Sequence, residues 1–500
     1  MTTTVEHPTG SRSLDPAACY RAVSGRDPRF DGRVFLGVVT TGVYCRPSCP
    51  ARTPRPENCR YFATAAAAVA AGFRACRRCR PDALPGSREW DHRTDLAARA
   101  VRMIGDGVVD EVGVGGLAGR LHVSDRHLHR VLVAEVGASP QQLARTRRAQ
   151  TARMLVEQTS LSMTEIAFAA GFASVRQFND VMRAEFGVVP SALRRRPVPD
   201  GASGRVPSGL PTVTLRLRLR PPFARDPLAR FLRAHAVPGL ERVEPDGSHV
   251  RTVPAPGGAA TVRVSLGQVP DDGDHLPVRM RLGDLADLAG VVARLRRWLD
   301  LDADPVQVDH ALAADPALLA LVAERPGLRV PGAVDGVETA VLAVLGQHVS
   351  LRAARTFAAR LVEAYGDDAG DGARVFPRAE TLAAADPDEV RAVTGVTGAR
   401  ARTVVALGQA VAAGALDLRP GADRAHVRRA LMSLPGVGPW TTEYVALRSL
   451  ADPDAYPAGD LVLRRALGVS SASEATARAE RWRPWRGYAL LHLWTKEALT

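Results

Sequence analysis

Four thiols in one arginine-rich segment have the spacing of a metal site. Cys45 and Cys49 stand in Thr40-Thr-Gly-Val-Tyr-Cys45-Arg-Pro-Ser-Cys49-Pro, and Cys76 and Cys79 in Gly72-Phe-Arg-Ala-Cys76-Arg-Arg-Cys79-Arg-Pro. A Cys-x3-Cys followed by a Cys-x2-Cys offers the four sulfurs that a tetrahedral zinc ion takes. Two disulfides or scattered buried thiols are the alternative. Disulfides need an oxidising compartment, and nothing at the N-terminus reads as a signal peptide. We therefore read Cys45, Cys49, Cys76 and Cys79 as ligands of one Zn2+. Bound to zinc, a cysteine is a thiolate, its nucleophilic form.

A second constellation lies far downstream. Leu434-Pro-Gly-Val-Gly-Pro-Trp440-Thr-Thr-Glu-Tyr444 falls between an apolar helix around 425–433 and another over 440–450, and Asp460 follows Gly438 by 22 residues. A Pro-Gly-x-Gly turn between helices lets the backbone N–H groups of Gly436, Val437 and Gly438 approach a phosphate, helped by the next helix N-terminus. Asp460, in Tyr456-Pro-Ala-Gly-Asp460-Leu-Val-Leu-Arg, is either a group that stabilises developing positive charge and handles a water proton, or a helix cap.

The words around the thiols, from Phe35 to Asp82, resemble the N-terminal domain of the Ada methyl-response protein. That resemblance implies that Cys45 removes a methyl group from a DNA phosphotriester, so the zinc is structural and reactive. Four thiolates on Zn2+ carry net negative charge, which phosphate repels; methylating one removes a unit of it and strengthens DNA binding. The alternative is a structural zinc knuckle with an inert Cys45. Cys19 and Cys59 fall outside the pattern and receive no role.

Residues 91–196 read as helical and hold two similar units, one from Val114 through Ser124 to Val131, the other from Met163 through Gly171 and Ser174 to Asn179. Each is a short helix, a tight turn and a second helix opened by serine. In the second unit Ser174 and Gln177 match a capping box, and Gly171 supplies the turn. In tandem they resemble an AraC-type DNA-binding domain, which implies operator contacts from Arg126, His129 and Arg130, with Asp125, and from Arg176, Gln177 and Asn179, with Val175. His127 is equally a turn or core residue.

Composition agrees with a polyanionic partner. The 500 residues carry a net charge of +13, and the first 196 hold 29 Lys and Arg against 18 Asp and Glu. The sole lysine is Lys496, so part of the arginine content reflects compositional bias. No apolar run reaches a membrane span of about 20 residues. The chain is expected to be a cytoplasmic, nucleoid-associated monomer whose partners are double-stranded DNA, as alkylated duplex and as promoter, and RNA polymerase. Five hundred residues exceed one core, and the fold class is multidomain: mainly α with a small α+β domain. The expected divisions are a zinc domain at 1–90, helix-turn-helix units at 91–196, a Pro/Gly/Ser-rich linker at 197–211, a small sheet domain at 212–287 and an all-α domain at 288–500.

In the sheet domain Val213–Leu219, Thr261–Leu266 and Val278–Leu282 alternate as half-buried strands, with a helix from Asp226 to His235 between the first two. With Arg220-Pro-Pro-Phe, this region resembles the small N-terminal domain of AlkA-type alkylbase glycosylases and shows no chemistry of its own. The hairpin with its following Asp460, the run Leu345-Gly-Gln-His-Val-Ser, and Ala479 to Trp494 resemble the helix-hairpin-helix glycosylase superfamily, AlkA branch. The resemblance implies excision of 3-methyladenine-type bases, with Trp440, Tyr444 and Trp494 as the base cleft and His348 wedged into the duplex. Trp440 stands where bifunctional relatives carry a Schiff-base lysine, so hydrolysis of the N-glycosidic bond without strand cutting is expected. Leu461 departs from the branch, which has tyrosine after the aspartate. No Pro-Cys-His-Arg motif is present, so direct reversal of O6-alkylguanine is not expected. Two other outcomes stay open: a transcription regulator whose glycosylase fold only binds DNA, and an enzyme whose front half only delivers it to damage.

Overall fold

The computed structural model describes residues 15–25, 34–47, 49, 51–62, 65–76, 79, 81, 92–194, 203–205, 210–267, 273–419 and 421–497. Contacts divide the chain into two compact units, residues 1–98 with 123–139, and residues 99–122 with 140–500. Most of the expected linker, and Asp82, lie outside the described residues.

In the first unit, helix α1 (Pro16–Ser24) starts at Asp15, whose carboxylate accepts from the Ala17 N–H. Strands β1 (Phe35–Val38), β2 (Val43–Cys45), β3 (Cys59–Phe62) and β4 (Arg74–Ala75) form one sheet in the order β3-β1-β2-β4, and α2 (Ala65–Ala70) precedes β4. Strand β2 runs antiparallel to β1 and parallel to β4, so the first two cysteines leave the sheet beside the second two. Phe35 and Tyr44 meet edge to face at 6.2 Å beneath it.

The following helices are α3 (His92–Gly105), α4 (Val108–Arg120), α5 (Asp125–Glu135), α6 (Pro140–Gln158), α7 (Met163–Ala169) and α8 (Val175–Phe186). α5, in the first unit, opens at Ser124, buries Leu128, Val131 and Leu132, and exposes Arg126, His129 and Arg130. That spacing is one helical stripe inward and the polar stripe outward. In the second unit α8 repeats the pattern with Phe178, Val181 and Met182 buried. Its expected capping box is only half formed. Ser174 Oγ accepts from Gln177 N–H, but Gln177 Oε1 accepts from Ala173 N–H at 3.1 Å instead of closing back on Ser174. The complete box stands one helix earlier, where Ser162 and Glu165 cap each other at the start of α7.

The second unit also holds a six-stranded sheet: β5 (Ser203–Arg205), β6 (Pro211–Arg218), β7 (Glu241–Val243), β8 (His249–Val253), β9 (Ala260–Val264) and β10 (His275–Arg281), ordered β5-β6-β10-β9-β8-β7. The three alternating runs are its middle strands. β5 comes from within the expected linker, and β7 and β8 lack apolar alternation: β8 reads His-Val-Arg-Thr-Val, and its polar residues are buried with its valines. Between β6 and β7, α9 (Arg225–His235) buries Leu228, Phe231 and Leu232.

The mainly helical part follows: α10 (Leu288–Trp298), α11 (Pro305–Ala313), α12 (Pro316–Glu324), α13 (Gly336–Leu345), α14 (Leu351–Tyr365), a short antiparallel pair of β11 (Asp368–Gly370) and β12 (Ala373–Arg374), α15 (Ala379–Ala384), α16 (Pro387–Thr394), α17 (Gly398–Ala412), α18 (Arg424–Met432), α19 (Pro439–Arg448), α20 (Leu461–Leu467), α21 (Ala472–Ala479) and α22 (Arg486–Glu497). One continuous apolar core runs from Ala149 in α6 through the sheet to Leu493 in α22. Polar contacts reinforce it. The Gln158 amide pairs with the backbone of Arg216 on β6, its Oε1 accepting at 2.8 Å. Asp106 pairs with Arg297, and Arg99 Nε donates to the Gly421 carbonyl at 2.9 Å. A Cβ on Gly421 would lie 2.2 Å from Met103, so only glycine permits that approach. Among the described residues no helix is long and apolar enough to cross a membrane.

Candidate active site and metal centre

α18 starts at Asp423, whose carboxylate accepts from His426 N–H at 2.9 Å, and the chain then reverses through Pro435–Gly438 into α19. Gly436 has φ +82°, and a Cβ there would meet Thr403 Oγ1 at 2.3 Å, so the turn requires glycine. Val437 is buried and anchors the turn in the core. Its N–H donates to the Leu434 carbonyl at 3.1 Å, so the outward donors of this hairpin are those of Gly436 and Gly438. Gly438 opens α19 with no side-chain cap, and Pro439 follows at the position that needs no N–H. A similar turn joins α16 to α17, with Gly395 at φ +80° and Val396 buried, but there Thr397 Oγ1 already accepts from Arg400 N–H. The hairpin before α19 is the one with an open helix end.

His348 stands beside it on the loop from α13 to α14, exposed and at φ +53°. A β-carbon pays for that backbone shape, which persists only when neighbours impose it. Gln347 imposes it: its amide donates to the Gly436 carbonyl at 3.0 Å and to Thr441 Oγ1 at 2.9 Å, while Arg400 donates to its own carbonyl.

Asp460 is both a cap and a member of the cleft. Oδ1 accepts from Leu463 N–H at 2.8 Å, which starts α20, and from Trp494 Nε1 at 3.0 Å. Oδ2 accepts from Trp440 Nε1 at 2.9 Å. Three donors from three helices fix the carboxylate. Trp440 and Tyr444 stack at 5.1 Å and 11°, and Tyr444 and Trp494 face each other at 6.3 Å and 41°. These four residues line a cavity of about 350 Å³, which fits the range expected for small-ligand sites. Leu461 is 62% exposed, and Lys496, the only amine side chain, is exposed on α22.

The rest of the cavity wall escaped the sequence. The sheet region, whose sequence shows no chemistry of its own, supplies Phe231 and His235 from α9, stacked at 4.0 Å. Burial lowers the His235 pKa to about 4, so this ring is neutral at pH 7. Deeper lies a charged cluster: Arg251 donates to both Glu338 oxygens at 3.0 and 2.8 Å and pairs with Glu241 at 2.9 Å, and Glu241 meets His249 at 3.0 Å. Burial outweighs Arg251 at Glu338, whose carboxyl rises to about 7. Arg448 was also missed, although its spacing four residues after Tyr444 and eight after Trp440 places all three on one face of α19.

In the first unit the four thiols converge. Cys45 ends β2, the Cys49 N–H donates to the Arg46 carbonyl at 3.0 Å, and the Cys76 N–H donates to the Tyr44 carbonyl at 2.9 Å. The four Sγ atoms lie within 4.8 Å of one another, all buried. No disulfide forms among the described residues. Four sulfurs this close, with no acidic or imidazole group among them, fit the all-thiolate donor set of zinc. Cys59 instead donates to the Arg55 carbonyl at 3.2 Å, and Cys19 is buried in α1. On α5, Arg130 Nη2 lies 3.1 Å from His127 Nδ1, and His127 is half-buried.

Comparison with known proteins decides the family. A "Probable bifunctional transcriptional activator/DNA repair enzyme AlkA" of Mycobacterium tuberculosis strain H37Rv is 50% identical over 485 residues, 95% of each chain. The chain belongs to this bifunctional activator and repair family. Its parts match four family models in order: the metal binding domain of Ada at 18–82, a helix-turn-helix domain at 117–196, the AlkA N-terminal domain at 214–335, and the HhH-GPD superfamily of base excision DNA repair proteins at 341–486. DNA-3-methyladenine glycosylase 2 of Escherichia coli K12 is 34% identical over 284 residues, 56% of this chain and 96% of that one. A 3-methyladenine DNA-glycosylase structure from Archaeoglobus fulgidus shares the fold, with TM-score 0.50 at 22% identity, over 56% of this chain and 97% of that one. The bifunctional family thus carries a zinc site, helix-turn-helix units and a helix-hairpin-helix glycosylase fold on one chain.

Proposed function

We propose that this protein senses and repairs DNA alkylation: residues 212–500 excise alkylated bases of the 3-methyladenine type, and residues 1–196 turn methylation of DNA into a transcriptional signal. The observation that carries the enzymatic half is Asp460, held by two indole N–H groups at an aromatic cleft beside an uncapped hairpin. Gly436 and Gly438 hold a backbone phosphate while His348 fills the gap left by the flipped base. A cationic base stacks against Trp440, Tyr444 and Trp494 by cation–π attraction. The N-glycosidic bond breaks with its electron pair going to the base, which leaves neutral. Asp460 stabilises the oxocarbenium-like sugar, water adds to C1′, and Asp460 or solvent takes the proton. Among the described residues no amine lines the cleft to form a Schiff base, so the strand stays intact.

In the sensor half, Cys45, Cys49, Cys76 and Cys79 would hold Zn2+, which would supply the charge that keeps their sulfurs as thiolates. Cys45 Sγ attacks the methyl carbon of a phosphotriester; the S–C bond forms, the C–O bond breaks, and a phosphodiester anion leaves. The lost negative charge strengthens DNA binding by α5 and α8 through Arg126, His129, Arg130, Arg176 and Asn179, with the Gln177 amide nitrogen as the remaining donor of that side chain. Promoter-bound protein then contacts RNA polymerase in the cytoplasm.

Base release from alkylated duplex, wild type against Asp460→Asn, tests the first half; equal release refutes it and favours a regulator whose glycosylase fold only binds DNA. Promoter footprinting with and without premethylated Cys45 tests the second, and unchanged affinity removes the charge switch.

A further inference from the structure

A cation lines the aromatic cleft beside Tyr444. Arg448 closes α19, and its Nη1 donates to Tyr444 Oη at 2.7 Å while Nη2 donates to the Gly332 carbonyl at 3.2 Å. Its guanidinium carbon lies 5.5 Å from the Tyr444 ring centre and 5.0 Å from that of Phe231. Tyr444 thus has its hydroxyl tied, a guanidinium beside its ring and Trp440 stacked on it at 11°. Trp440 in turn donates to Asp460 Oδ2.

We propose that Arg448 is a positioning residue for base excision: it acts through Tyr444 and Trp440 to hold the Asp460 carboxylate in line with the sugar. The proposal rests on the glycosylase assignment above. A planar guanidinium suits the task because it bonds two acceptors at fixed angles and stacks on a ring at once, which an ammonium does not. Tyr444 and Arg448 are neighbours one turn apart on α19, so the helix itself sets their separation. Released from Arg448, Tyr444 turns about its side-chain bonds, the parallel stack loosens, and the Trp440 N–H drifts from Oδ2. A small misplacement of this kind lowers the chemical step while leaving duplex binding to the hairpin.

The test is single-turnover base release from alkylated duplex, with duplex affinity measured in parallel, for Tyr444→Phe, Arg448→Gln, Arg448→Lys and the double variant Tyr444→Phe/Arg448→Gln of the full chain. We expect Tyr444→Phe and Arg448→Gln each to slow release about tenfold at unchanged affinity. The double variant should be no slower than the worse single one, and Arg448→Lys should recover part of the loss. A wild-type rate in Arg448→Gln, or losses that multiply in the double variant, overturns the proposal. Should Arg448→Gln fail to fold, Tyr444→Phe decides alone, since it removes one oxygen and keeps the ring; a wild-type rate there overturns the relay. Asp460→Asn run alongside separates the two levels: a wild-type rate in it refutes the glycosylase assignment itself, whereas an inactive Asp460→Asn with a wild-type Arg448→Gln refutes only the role of Arg448.

Discussion

The indole N–H of Trp494 lies 3.0 Å from Asp460 Oδ1, across 34 residues of sequence. The last helix of the chain therefore helps to aim the carboxylate. Trp494→Phe keeps an aromatic ring, smaller than the indole, and removes the donor. We expect it to lower single-turnover excision about tenfold, the loss of one hydrogen bond to a charged group. Asp460→Asn should cost at least 10²-fold, on the order of one lost electrostatic stabiliser. A Trp494→Phe variant as fast as wild type would show that the bond is structural only.

The four sulfurs make a stoichiometric prediction. Elemental analysis of the full chain should give one zinc per chain, and Cys79→Ser should abolish it, because Cys79 is fully buried in the cluster. A strong chelator should melt the first unit while leaving base release by the second unchanged. Methylated Cys45 should keep the metal and bind DNA more tightly, with the gain shrinking as salt rises.

Asp106 and Arg297 are mostly buried, with about a fifth of each side chain exposed. Removing one partner strands the other charge, so Asp106→Asn or Arg297→Met should each cost about 3 kcal/mol in chemical denaturation of the second unit. The double variant should recover much of it. Additive losses would mean that the pair does not act as one.

Glu338 makes stability depend on pH. Its carboxyl is raised from 4.5 to about 7 in the folded chain. Folding thus favours its protonated form, which stabilises fully below about pH 4.5 and loses its effect as pH rises through about 7. Wild type should lose up to about 3 kcal/mol relative to Glu338→Gln across that window. His235 runs the other way, since its depressed pKa stabilises above pH 6.5 and fails as pH falls through about 4. Denaturant midpoints of both proteins at pH 5 and pH 7.5 check this; parallel curves would place the titration elsewhere.

Local chemistry was legible wherever a residue's role follows from its near neighbours. The thiol spacing, the Gly171 turn and the Pro-Gly-Val-Gly hairpin are requirements of short chain segments, and the structure builds each of them. β8 was illegible because His249, Arg251 and Thr252 are buried along with its valines, so polarity along the strand marks no outward face. The Ser174–Gln177 box was misread because the Gln177 side chain had two nearby N–H groups to choose from, and three-dimensional reach favoured Ala173.

By itself the sequence determined which groups are available: four thiols, one hairpin with an open helix end, one aspartate and a set of aromatic residues. These are properties of residue type and short spacing. Only the tertiary structure decided how Asp460 is aimed, that Phe231 and His235 come from the sheet region to wall the cleft, and that Arg448, one turn from Tyr444 on α19, also reaches the Gly332 carbonyl and the Phe231 ring. Those contacts join groups on separate helices and, for α9, more than 200 residues apart in the chain. The packing of helices brings them together, and no local pattern encodes it.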